Sequence, residues 1–278
     1  MKHIVAALAI DKSDDFVIEK AEELRRRTGA KVTYVHAAET PFFDFANSSN
    51  KQNDEIKIVE ELFESIKNRA NIEKADIVVS FSSAWELILK TAKSHGADLV
   101  ILGNMSKNKA VFYLGSTAKK VLEKIGIPVF IARDKPLDKK ILIPTDLGEY
   151  TMRASEVKRF LKSSADAEYV YANTISFGVT VPYTTLAVQS LEFVQEEIKK
   201  SVEAFKKSRK DAPTITLEIE NNISDTIKEY ADKNGFSLTV LASRNLAGLS
   251  PIIFGSTASK IAQIVDTNLL ITFVEDGE

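Results

Sequence analysis

The sequence predicts an α/β protein of two tandem, doubly wound domains, each built on a five-stranded parallel sheet. Three observations point there. Short apolar runs alternate with longer amphipathic ones along the whole chain, the pattern of strands joined by crossover helices. The series then occurs twice within 278 residues. Between the two runs, the charged stretch from Arg133 to Lys140 carries a proline and no apolar period, as a linker does. The expected domains are 1–136 and 137–278.

The elements follow in order. In the first half, His3–Ile10 has a buried-strand pattern, and Asp14–Arg27 is amphipathic, with Phe16, Val17, Ala21 and Leu24 at helical spacing. Lys31–His36 reads as a strand, followed by a long polar loop and a helix to about Asn71. Strand Asp76–Ser80, helix Ala84–Ser94, strand Leu99–Leu102, helix Ser116–Lys124 and strand Val129–Ala132 complete the series. Gly29, Gly96 and Gly126 each fall just past a helical run, where a left-handed cap is expected. The second half replays the order as Lys140–Pro144, Tyr150–Leu161, Glu168–Tyr171, Leu191–Lys207, Thr214–Ile219, Ser224–Lys233, Leu238–Leu241, Ser256–Ile264 and Leu269–Phe273.

Landmarks shift by nearly constant amounts. Asp11 recurs as Asp146, 135 residues on, Gly96 as Gly235 at 139, and Gly115-Ser-Thr as Gly255-Ser-Thr at 140. Order, spacing and a shared tripeptide together mark a tandem duplication. Parallel strands need right-handed crossovers that cover the sheet with helices. Ligands of such sheets bind outside the carboxyl ends of the strands, where the winding reverses. Asp11, Gly103 and Gly115 all follow strands.

Composition narrows the function. The chain is 44% hydrophobic and 27% charged, with a net charge of −2, which disfavours nucleic acid as a partner. It has no cysteine, hence neither disulfides nor a thiolate metal site. No apolar run reaches membrane-span length, and the N-terminus lacks a signal-peptide pattern, so a cytoplasmic protein without a membrane partner is expected. The three histidines have no ligand spacing, with His95 complementing a helix C-terminus. Asp14, Asp15 and Asp232 read as solvated or dipole-facing charges. Walker A, dinucleotide and nucleophile-elbow motifs are absent from the sequence, and no enzyme is expected.

The strand ends "ALAIDKSDD" and "ILIPTDLGEY", the segment "HGADLVILG", the loops closing on Gly-Ser-Thr and the strand "IGIPVFIAR" together resemble the universal stress protein family. The resemblance covers both halves. It implies an adenine-nucleotide α-hydrolase-like fold, a role in stress response and pairing of the halves through their last strands as a pseudo-dimer, and it leaves a homodimer of whole chains open. It further implies ATP or AMP, with Mg2+, bound by Gly-x2-Gly-x9-Gly-Ser/Thr, and it leaves room for slow ATP turnover. The first half keeps Gly103 and Gly115-Ser116-Thr117 but has Ser106 for the second glycine and a spacer of eight residues. The second half keeps the nine-residue spacer, Leu246 to Phe254, but has Ala242 and Asn245 for the first two glycines.

A spacer short by one residue loses up to about 3.5 Å of reach, so the second half is the favoured site. There Gly255, Ser256 and Thr257 would hold phosphates, Asp146 a metal ion or ribose, and Arg244 would add charge. Asn245 tolerates a left-handed backbone and Gly248 keeps the loop pliable. The second choice is Asp11, Gly103, Gly115, Ser116 and Thr117. Against this stands a pair of degenerate domains that bind no nucleotide and serve as a scaffold, with Gly-Ser-Thr a plain capped helix start. Loops 37–50 and 172–188, rich in aromatics and proline, read either as lids on the sheet edge or as a contact surface for a partner or apolar ligand.

Overall fold

The computed structural model describes residues 1–11, 13–38, 57, 60, 61, 64–68, 76–103, 115–137, 139–173, 185–219, 222–245 and 255–275. These fall into two compact units, one on either side of the step from Asp134 to Lys135. The first unit holds β1 (His3–Leu8), helix Asp14–Thr28, β2 (Lys31–Ala37), β3 (Asp76–Ser80), helix Ala84–His95, β4 (Leu99–Gly103), helix Ser116–Lys124 and β5 (Val129–Ala132). Residues 64–68 are also helical. Its strands are parallel, in the order β3-β2-β1-β4-β5.

The second unit repeats the plan with β6 (Lys140–Pro144), helix Ala154–Leu161, β7 (Asp166–Asn173), helix Thr185–Ser208, β8 (Thr214–Glu218), helix Ile223–Lys233, β9 (Leu238–Asn245), helix Ser256–Ile264 and β10 (Asn268–Glu275). Its order is β8-β7-β6-β9-β10, again parallel. In each unit the chain winds outward from its first strand, then returns to that strand's other side. The reversal lies between β1 and β4 and between β6 and β9, the position at which sheets of this kind take their ligands. The central strands are apolar on both faces because helices cover both. Ile4, Val5 and Ala6 of β1, Leu99 to Ile101 of β4, and Ile141 and Leu142 of β6 are all fully buried.

Several boundaries differ from the expected ones, each for a local reason. The second unit's first helix starts at Ala154, not Tyr150. The Thr145 hydroxyl accepts the Leu147 N–H at 2.8 Å and bonds the Thr151 hydroxyl at 2.7 Å, and the Thr151 N–H reaches Gly148 O at 3.3 Å. Residues 145–151 are thereby drawn into a turn, as threonine hydroxyls favour. Strand β1 ends at Leu8, and Ile10 has φ 60°. Gly29 and Gly96 are left-handed caps, with φ 73° and 58°. Gly126 is not: helix Ser116–Lys124 ends through Ile125 in extended conformation, a cap any residue can form. Strand β7 runs to Asn173 and the next helix starts at Thr185, so most of loop 172–188, like loop 37–50, lies outside the described residues.

Candidate functional site

After β1, the Asp11 carboxylate accepts the Ser13 N–H at 2.7 Å and the Ser13 hydroxyl at 2.5 Å, closing an Asx turn. Asp14 then opens the helix. Burial selects the dipole-facing reading over the solvated one, for Asp14 is 1% exposed. Its two oxygens accept the Ala9 N–H at 2.8 Å and the Asp11 N–H at 3.2 Å, and the helix dipole favours a carboxylate there. Asp14 therefore fixes the loop from beneath, while Asp11 shapes its rim.

Gly103 closes the neighbouring strand. A Cβ built there would meet Ser13 Oγ at 2.8 Å and Val17 Cγ2 at 3.2 Å. The absence of a side chain thus lets the Asp11–Ser13 turn rest on the end of β4, a packing role independent of any ligand. In the second unit Asp146 forms the same turn, accepting the Gly148 N–H at 2.9 Å. The repeat aligns Gly148 with Ser13 and Ala242 with Gly103. The second unit thus carries a methyl at the Gly103 position and no side chain at the Ser13 position. Asp146 is exposed. Burial first, and then the charge of Asp146, push the Tyr171 phenol up.

The helices that follow start alike. Gly115 has φ −57° and ψ 160°, Gly255 φ −53° and ψ 149°. Neither uses the positive φ that glycine permits. Neither has a described atom within 4 Å of a built Cβ. The capping position is the glycine itself, so no Ser or Thr hydroxyl caps either helix from there. The first intrahelical bonds are Lys119 N–H to Gly115 O at 3.0 Å and Ser259 N–H to Gly255 O at 2.8 Å. The amides of 116–118 and 256–258 precede that ladder and are the donors a helix leaves over. Ser116, Gly255, Ser256 and Thr257 are exposed, Gly115 and Thr117 half-buried.

Strand β9 continues through Arg244 and Asn245, in parallel register with Val274 and Glu275 of β10. Asn245 is therefore extended strand, not a left-handed loop residue, because the neighbouring strand runs equally far. Gly248, Ser106 and both spacers before Gly115 and Gly255 lie outside the described residues. Sequence reading missed Ser13, Asp14, Thr145 and Gly148; the available signal was two acidic residues in a first helical turn and a glycine two residues after Asp146. The histidines lie apart from these turns, save that His36 Nδ1 sits 2.9 Å from Leu8 O. His3 and His95 meet edge to face at 5.2 Å at the amino end of the first sheet, and His95 Nδ1 is 3.0 Å from Thr91 O.

The profile of the universal stress protein family matches residues 1–133 and again 138–272. The chain belongs to the universal stress protein family. Among curated relatives, universal stress protein A homolog 2 of Coxiella burnetii is 30% identical over 140 residues, 48% of this chain and 96% of its own length. Universal stress protein MJ0531 of Methanocaldococcus jannaschii is 28% identical over 171 residues, 59% of this chain and 95% of its own. A universal stress protein of Archaeoglobus fulgidus shares the fold over 98% of both chains, with a TM-score of 0.67 at 14% identity. The Pseudomonas aeruginosa protein PA1789 does so over 98% of this chain and 92% of its own, at 0.64 and 15%. This tandem universal stress protein is thus an α/β protein of two family domains. Among its described residues no helix is long and apolar enough to cross a membrane.

Proposed function

We propose that this universal stress protein binds an adenine nucleotide, ATP or AMP, in its second half, and acts in a cytoplasmic stress response by binding, not by catalysis. The observation that carries the reading is the pair of glycine-led helix starts. At Gly115 and Gly255 neither backbone conformation nor described packing calls for glycine, yet both halves keep it. A bare backbone ahead of spare helix amides suits a phosphate, which the helix dipole attracts. The Asp turn after the first strand lies across the winding reversal from the strand that leads to this helix. Asp146, exposed and using one oxygen within its turn, suits a Mg2+ ion that keeps most of its waters or a ribose hydroxyl. The intact nine-residue spacer before Gly255, against eight residues before Gly115, supports the ranking of the second half over the first.

The scaffold reading keeps one observation of its own: Gly103 is accounted for by Ser13 and Val17 without a ligand. Heat denaturation of protein purified without added nucleotide separates the two. Adenine absorbance released into the supernatant supports nucleotide binding. A clean supernatant, together with no uptake of added Mg-ATP, supports the scaffold.

A further inference from the structure

Helix Thr185–Ser208 buries Val202 and Phe205 against its sheet, with the Phe205 ring edge-on to Tyr169 at 5.2 Å. Its opposite face is unusual. Phe193 is 67% exposed, the most exposed large apolar side chain among the described residues. Phe193, Glu197, Lys200 and Ala204 follow one another at spacings of four, three and four residues. At 100° per residue all four fall within about 60° of the helix circumference. Glu197 and Lys200 are 51% and 63% exposed, and Ala204 is exposed too. The stripe therefore reads aromatic, acid, base, small.

We propose that this stripe is a self-association surface, on which a second copy of the chain docks through the same helix in antiparallel orientation. The reason is its symmetry. A two-fold axis midway between Glu197 and Lys200 is also midway between Phe193 and Ala204. One operation then sets Phe193 of each copy over Ala204 of the other, and Glu197 of each against Lys200 of the other. The small Ala204 side chain admits the ring at the spacing of packed helices, and the charges complement twice. A parallel pair would stack Phe on Phe, Glu on Glu and Lys on Lys, so the charges select the antiparallel form. The Glu197–Lys200 pair within each helix, at 2.9 Å, already holds both groups on this face. Self-complementarity is what an isologous interface requires. A contact of one helix per copy is small, so the dimer is weak and concentration-dependent. The proposal is independent of nucleotide binding.

Sedimentation velocity over a concentration series of the full chain tests it. The wild type should show a rising dimer fraction. Phe193→Glu and Glu197→Lys should each weaken the dimer by about tenfold or more, the second by placing like charges opposite one another. The double reversal Glu197→Lys with Lys200→Glu should restore it. All these side chains are exposed, and circular dichroism checks that the fold is kept. A monomer at every soluble concentration overturns the proposal. So does a dimer indifferent to Phe193→Glu, which would pair through another face, or a double reversal that fails to restore association.

Discussion

Asp14 and Tyr169 secure equivalent helix starts with different side chains. Asp14 receives two loop amides. In the second unit the Tyr169 hydroxyl accepts the Ala154 N–H at 2.8 Å and donates to Asp211 at 3.0 Å. Removing the Tyr169 hydroxyl leaves the buried Ala154 N–H unpaired, and removing the buried Asp14 carboxylate takes the acceptor from the partly buried loop amides; a lost partner of this kind costs about 1–3 kcal/mol. Asp14→Ala and Tyr169→Phe should each lower stability by that amount in denaturant titration; a change below about 0.5 kcal/mol would contradict the assignment. Titration of single groups adds a pH dependence. Burial, and then the charge of His95, hold the His3 imidazole below its ordinary 6.5. The unfolded chain therefore takes up this proton first. The stability His3 contributes is full above pH 6.5 and is lost as pH falls from there through its folded value. For Asp211 burial acts upward, yet hydrogen bonds from Ser155 and Tyr169 bring the carboxyl below its usual range. Its contribution persists above the ordinary carboxylate value and is lost only in stronger acid. His3→Gln should flatten the stability profile as pH falls below 6.5, and an unchanged slope there would exclude His3 as its source.

Among the elements, the two helix ends at Gly96 and Gly126 make a controlled comparison. Both have open space around a built Cβ, but only Gly96 has positive φ. Gly96→Ala should cost about 1 kcal/mol and Gly126→Ala close to nothing, measured as shifts in thermal midpoint; equal effects would overturn the cap assignment. Both look the same in the sequence, since a glycine after a helical run signals an end without fixing the dihedral. The order of elements was legible because apolar period and punctuation are local properties. The duplication was legible because Asp11 and Asp146, like the two Gly-Ser-Thr starts, keep their spacing. The site was legible only in part. Asp14 looks like any acidic residue of a first turn until β1 and the helix enclose it. Gly103 looks like a phosphate glycine until Ser13 is seen against it. Asn245 looks like a loop residue until β10 is found running beside it.

For the whole molecule, nucleotide binding rests on Gly255. Valine suits the test there because φ −53° is allowed to it and no described atom lies near its Cβ, while its branched side chain would occupy the phosphate's approach. The decisive measurement is calorimetric titration of Mg-ATP into wild type, Gly255→Val and Gly115→Val. The expected outcome is that wild type and Gly115→Val bind alike and that Gly255→Val does not bind. Binding lost in Gly115→Val but kept in Gly255→Val, or no uptake by the wild type at millimolar nucleotide, would contradict it.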